Sequence, residues 1–308
     1  MKEHPLCYLS QLGWCREGLW WARSVAVAGS TAYLADADGR VHVFALGDPA
    51  HPQRIGACAV PGVPQSAVVG EGHVYVASGA AGLVVIDVAD PVSPRVVASY
   101  REPGWYARGL AVDGRGMVYV ACDEAGLGVV DVSSPERPVG VSVGHHGLMC
   151  ALGVALNHRT AFVVDGEAGL RVVDIGRPGD MHEVGRYAER GYVTGVALWG
   201  NHLGMVGDKT GLWVLDVADP ADPWRVGGCA VRGTVESIAV SGRRAYLAAG
   251  GEGICVVDVS NPASPVQVER RGVPGHVHHI VGAGGTIYAA CGDGGLAIYE
   301  LSEQGQLL

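Results

Sequence analysis

The chain has very little lysine: two of its 308 residues, Lys2 and Lys209, against 48 glycines. Charged residues are 17% of the total and the net charge is -9. There is no basic stripe to release counterions from phosphates, which disfavours nucleic acid, and no polybasic patch for an anionic membrane. No apolar run approaches the ~18 residues needed to span a bilayer. The first fourteen residues, MKEHPLCYLSQLGW, lack the regions of a signal peptide, so a cytoplasmic location is expected. The eight cysteines show neither CxxC pairs nor metal-like spacing, and in that compartment they read as free thiols. Cys7 and Cys15 read as members of one extended strand, about 26 Å apart. A glycine-rich βαβ unit, a phosphate loop and a serine elbow are all missing, which disfavours nicotinamide, flavin, nucleotide and serine-triad chemistry. No window keeps a helical period.

What is abundant is glycine, inside a chain that is 48% hydrophobic. So much apolar surface excludes disorder, and glycine without a G-X-Y period excludes collagen. Each interior glycine costs a helix about 1 kcal/mol, so short strands and tight turns remain.

One phrase recurs: GLVVIDVADPVSP from Gly82, GLGVVDVSSPERP from Gly126, GLWVLDVADPADP from Gly211 and GICVVDVSNPASP from Gly253. Weaker copies begin at Gly39, Gly169 and Gly295, and the seven leading glycines are 42 to 44 residues apart. Such a period, built only of strands, is propeller-like. Each unit parses into four strands, as in ESIAVSG, RAYLAAG, GICVVDV and VQVERRG of the sixth. The last unit supplies three strands, and Leu6 to Gly18 reads like the missing fourth. The expected architecture is therefore an all-β, seven-bladed β-propeller of four-stranded blades, closed when the N-terminal strand completes the last blade. As one domain over 1–308, it has 6–18 as that outer strand and blades near 20–62, 63–104, 105–149, 150–191, 192–233, 234–275 and 276–301.

On these phrases the chain resembles the bacterial LVIVD-repeat family along essentially its whole length. The resemblance implies a β-propeller and contributes little about activity. The first copy departs from the pattern at Phe44-Ala45, and the fourth at Arg177-Pro178.

The recurrent aspartates Asp87, Asp131, Asp174, Asp216 and Asp258 end third strands before proline turns, where a carboxylate can accept backbone N–H bonds and fix the turn. The acidic residues of the second-to-third-strand hairpins, including Asp36, Asp38, Asp123, Asp165 and Asp208, read mostly as solvated turn residues. Function is expected where the copies disagree. Just before each inner-strand core stand Arg23, Gln65, Arg108, Leu152, Thr194, Glu236 and His278. Two residues earlier stand Trp21, Val63, Tyr106, Cys150, Tyr192, Thr234 and His276, with Trp20, Trp105 and Met149 beside them.

This set suits an anionic, partly aromatic small molecule at the central mouth. Glu236 and His278 can act as general acid and base, and Tyr106 and Tyr192 as proton donors to an oxyanion. Arg23, Arg108, Trp20, Trp21, Trp105, Gln65, Thr194, Cys150 and His276 are the candidate binding residues. The expectation is a lyase, isomerase or cyclase without a cofactor. The alternative is a non-catalytic scaffold that binds a peptide or protein through the same face. His276 and His278 share one side of their strand, so a two-imidazole divalent-metal site is geometrically open, although spacing supplies no further ligand. Cys150 near His145 and His146 can be a thiol nucleophile or a small core residue. Cys122 and Cys291 hold equivalent places in blades that are not neighbours, so no disulfide is expected between them.

Overall fold

A computed structural model of the chain describes residues 7–144, 147–188, 191–208 and 211–303. It contains seven four-stranded antiparallel sheets. Their first strands are Ala22–Ala28, Ser66–Gly70, Gly109–Val112, Gly153–Asn157, Tyr192–Trp199, Ser237–Ser241 and His279–Ala283. Each packs against the first strand of the next sheet, and the seventh packs against the first, so these strands form a closed inner ring. The fold is a seven-bladed β-propeller. Among the described residues no helix is long and apolar enough to cross a membrane.

The near-continuous hydrophobicity of the strands follows from burial on both faces. Seven apolar clusters fill the seven seams. One joins Tyr75 and Val85 of blade 2 to Val118 and Val130 of blade 3, and another joins Leu34 and Phe44 of blade 1 to Tyr288 and Ile298 of blade 7.

Ring closure follows the expected plan. Cys7–Cys15 pairs antiparallel with Leu296–Glu303, in a register running from Cys7 opposite Glu303 to Cys15 opposite Leu296. Leu9 of the closing strand is fully buried, which contributes about 1.5–3 kcal/mol to closure. Gly295 has φ +80°, and a Cβ there would strike the Cys15 carbonyl, so the close approach of the two ends requires glycine.

The recurrent aspartates are turn devices. Asp87, Asp131, Asp174, Asp216 and Asp258 each accept the backbone N–H two residues on, at 2.6 to 2.9 Å. The first copy is offset by one residue from the sequence alignment. Arg40, not Gly39, pairs with the end of the second strand, and Ala45 takes the place of Asp87 opposite the start of that strand.

Two hairpin aspartates correct the solvated reading. Asp36 and Asp165 are buried. Asp36 accepts the N–H groups of Trp20, Trp21 and Asp38, and Asp165 accepts those of Met149 and Cys150. Each ties a second strand to the segment that leads into the inner strand of its own blade. Cys15, Cys58, Cys122, Cys150, Cys229, Cys255 and Cys291 are free thiols.

Candidate functional site

The chain approaches every inner strand from the same face, and backbone bridges fix how it arrives. Gly79 pairs with Ala107, Asp123 with Ala151, Gly166 with Val193, Gly250 with Val277 and Gly292 with Ala22, each linking one blade's hairpin to the next blade's approach. All five hairpin residues are left-handed, with φ between 52° and 56°. Four are glycine, and Asp123 is the exception.

Two seams lack this bridge among the described residues. At one, Pro64 stands where the other copies offer an N–H. At the other, the Thr194 hydroxyl donates to the Val235 carbonyl at 2.7 Å.

Just past the bridge, the alternation of side chains slips by one residue. Register shifts bracket Arg23 and Thr194 in their strands, and a bulge of this kind re-aims a side chain. Gln65, Arg108, Glu236 and His278 hold the same address, each N–H bonded back to the second strand. A cavity of about 630 Å³ opens at the mouth, within the range of ligand sites. Arg23, Gln65, Arg108, Tyr192, Thr194, Glu236 and His278 line it together. His279, which the sequence reading passed over, lines it too. Burial pushes its imidazole down to about 4, and its Nδ1 accepts the Val25 N–H at 3.4 Å.

Six other candidates stand outside the lining. Trp105 is a correction: it is 4% exposed and lies over Gly128 of its own blade, where any Cβ would collide with its ring. It belongs to the core between blades 2 and 3. Tyr106 stacks on Arg108, its ring centroid 4.6 Å from the guanidinium carbon, and Trp20 stands exposed on the rim. Trp21 packs 5.5 Å from the His278 ring. Cys150 and His276 act through neighbours described below. His145 and His146, invoked for a Cys150 nucleophile, lie outside the described residues.

The lining divides into three groups. In the first, Arg23 donates to Gln65 Oε1 at 2.8 Å, and its Nε is buried without a partner. Among the described residues no carboxylate lies within ion-pair distance of it.

In the second, Arg108 is already neutralised, with Nε and Nη2 at 3.0 and 2.9 Å from Asp123 Oδ2. The Cys150 thiol lies 3.4 Å from both Asp123 Oδ1 and the Tyr192 hydroxyl. Burial pushes the thiol up, and its hydrogen bond together with burial pushes Tyr192 up to about 12. Both groups keep their protons at neutral pH, so this thiol is a poor nucleophile.

In the third, Glu236 stands between two imidazoles: Oε1 is 2.5 Å from His276 Nε2, and Oε2 is 2.7 Å from His278 Nδ1. Burial works against its charge, yet the paired imidazoles outweigh burial and hold the carboxyl below its usual range. Glu236 is thus a carboxylate, suited to accepting a proton or a cation and unsuited to the role of general acid.

Six consecutive segments, residues 21–60, 61–102, 104–142, 151–189, 190–231 and 232–271, match the family described as LVIVD repeat. The seventh blade, assembled from both ends of the chain, falls outside these matches. No curated protein matches the chain. Among solved structures it is similar to the WD40 repeats of RRP9, at 10% identity over 96% of this chain and 100% of that one, with a TM-score of 0.80. It is also similar to U3-55K, at 11% identity over 95% and 98% with a TM-score of 0.77. The computationally designed Ika8 protein matches at 10% identity over 94% and 99%, with a TM-score of 0.69. These likenesses are likenesses of fold.

Proposed function

The chain belongs to the LVIVD-repeat family, and we propose that it works as a non-catalytic binding propeller whose mouth receives a segment of a protein partner. One observation carries this reading. Trp20, Val63, Tyr106, Met149 and Tyr192 are all exposed, Trp20 by 67% and Met149 by 71%. Four sit in the segments that approach the inner strands of blades 1 to 4 and Tyr192 opens the inner strand of blade 5, so they form an apolar crescent on one face around the cavity. Scattered exposed apolar residues need no explanation, but an aligned set rich in aromatic rings is the composition of a binding hot spot. Beneath it, the uncompensated Arg23 suits an acidic anchor. The partner segment would be apolar, with at least one carboxylate.

A phage-displayed peptide library selected on the full chain tests this. Peptides pairing apolar with acidic residues are expected, and Trp20→Ser with Met149→Ser should weaken them more than about tenfold, the cost of a hot-spot residue. Undiminished binding to that double variant would overturn the reading.

A second reading, an acid–base enzyme acting on a small anionic molecule, draws on one specific feature, the Glu236 carboxylate between two imidazoles. It requires Glu236→Gln and His278→Ala to abolish turnover while the selected peptides still bind.

A further inference from the structure

The grouping of Glu236, His276 and His278 has a geometry that hydrogen bonding alone leaves incomplete. One oxygen of Glu236 and one nitrogen from each histidine lie within 4.8 Å of one another, and the two rings are 4.5 Å apart. His278 Nε2 is buried without a hydrogen-bond partner. Among the described residues, the Glu236 carboxylate accepts hydrogen bonds from these two imidazoles alone.

The backbone builds this arrangement. His276 and His278 flank Val277, which is fully buried and bridged to Gly250, so both imidazoles turn toward blade 6, where Glu236 stands just before the inner strand. The glycines at the hairpin address make room for the rings. A Cβ on Gly250 would lie 2.9 Å from His276 Cε1, and one on Gly292 would lie 3.4 Å from His278 Nε2.

A second grouping of similar composition, Asp36, Asp38 and His42, shows the contrast. Both oxygens of Asp36 are already taken by the N–H groups of Trp20, Trp21 and Asp38. It is a turn.

We propose that Glu236, His276 and His278 form a binding site for a divalent transition-metal cation of the zinc class. Two imidazole nitrogens and one carboxylate oxygen are borderline donors, suited to Zn²⁺, Co²⁺ or Ni²⁺ and poor for Ca²⁺ or Mg²⁺, which want oxygen alone. Metal–ligand bonds of about 2.0–2.2 Å in a tetrahedral site set ligand atoms about 3.4 Å apart. The nitrogen–oxygen contacts, now 2.5 and 2.7 Å, must open toward that separation to admit the ion, which side-chain rotation supplies. The ion takes the place of the two imidazole–carboxylate hydrogen bonds, and each neutral imidazole keeps its single proton on the ring nitrogen turned away from the metal. Three protein ligands leave a fourth position toward the cavity, open to water or an anionic ligand. This site stands apart from the peptide-binding reading: the crescent lies over blades 1 to 5 and the ligands on blades 6 and 7.

Titration of the chelator-washed full chain with Co²⁺, followed by absorbance and by calorimetry with Zn²⁺, tests the proposal. The expected result is 1:1 binding with ligand-field bands of a four- or five-coordinate ion and no intense thiolate-to-cobalt band. Glu236→Gln, His276→Asn and His278→Asn should each weaken binding by more than the roughly tenfold cost of losing an outer-shell partner. Circular dichroism establishes that each variant is folded, and Glu236→Gln keeps the shape of the side chain if a histidine variant fails to fold. Failure of the chain to bind one equivalent, a thiolate band, or unchanged affinity in Glu236→Gln would each overturn the site. Peptide binding measured on the same samples distinguishes failure of the crescent from failure of the metal site.

Discussion

The arc of the mouth formed by blades 3 to 5 and the arc formed by blades 6 and 7 are built from the same addresses in the repeat, yet they do opposite things. In the first, Arg108, Asp123, Cys150 and Tyr192 close on one another, so the one guanidinium meets a carboxylate and the thiol and phenol stay protonated. In the second, one carboxylate holds two imidazoles through hydrogen bonds that a cation can replace. Both arcs look chemically rich in a list of residues. What separates them is whether each charge is answered by a permanent partner or by one that can be displaced. Blade 1 adds Arg23, whose charge meets no carboxylate among the described residues.

The largest expected effect tests the division between carboxylates that hold the fold and one that serves the site. Asp165 is buried, accepts two backbone N–H groups and lies 3.4 Å from Arg171 Nε. Asp165→Ala should cost about 3 kcal/mol, the low end for breaking a buried pair, because Glu183 still answers Arg171. Glu236→Gln, in a partly exposed group, should shift stability by less than about 1 kcal/mol. Urea denaturation of both variants measures the difference, and an inverted order would erase the distinction between the two arcs.

Asp123→Gly sharpens the same comparison with a smaller effect. Asp123 occupies a left-handed conformation, φ 52°, at an address where four other copies have glycine. Glycine there relieves roughly 1 kcal/mol of backbone strain, while loss of the half-exposed Arg108 pair costs about 0.2–1 kcal/mol. The two offset, so the denaturation midpoint should stay nearly fixed while Arg108 becomes free. Binding of acidic peptides should then strengthen. A large loss of stability would instead make the Asp123 network a principal support of the fold.

Much of this was open to sequence reasoning because a repeat is its own alignment. The period, the leading glycines and the missing fourth strand specify seven blades and their closure. The disagreeing residues before each inner strand locate the cavity lining, and Glu236 meets His278 because they stand one repeat apart. The burial of Trp105 was less accessible, since its cause lies on another strand. Gly128 occupies an address where other copies carry Val84, Arg171, Trp213 and Cys255, and that single missing Cβ was the available signal. Asp36 and Asp165 were misread for a related reason. They stand where other copies have Ser78, Cys122, Ala249 and Cys291, small residues fit for burial, and hairpin position alone suggested solvent. The pairing of Arg108 with Asp123 depends on rotamers, which no pattern of residue types records.

The last expected effect, confined to acid pH, sets a core histidine against the two that flank Glu236. His42 is 1% exposed, and burial holds its imidazole below its usual pKa even though Asp38 lies 3.2 Å from Nε2. The unfolded chain takes up this proton near pH 6.5 and the folded chain only at lower pH. Stability contributed by the neutral ring is therefore fully present above pH 6.5, falls as pH drops toward the folded pKa, and levels off below it. His42→Val, with the residue that Val84 supplies at the same address in blade 2, removes this contribution. The difference in unfolding free energy between variant and parent should then change by at most about 1.4 kcal/mol per pH unit across that window. Co²⁺ affinity should remain that of the parent, because both oxygens of Asp36 are held by backbone N–H groups. Lost Co²⁺ binding in His42→Val would place the metal in blade 1 and remove the contrast between a histidine that fills the core and histidines that face the mouth.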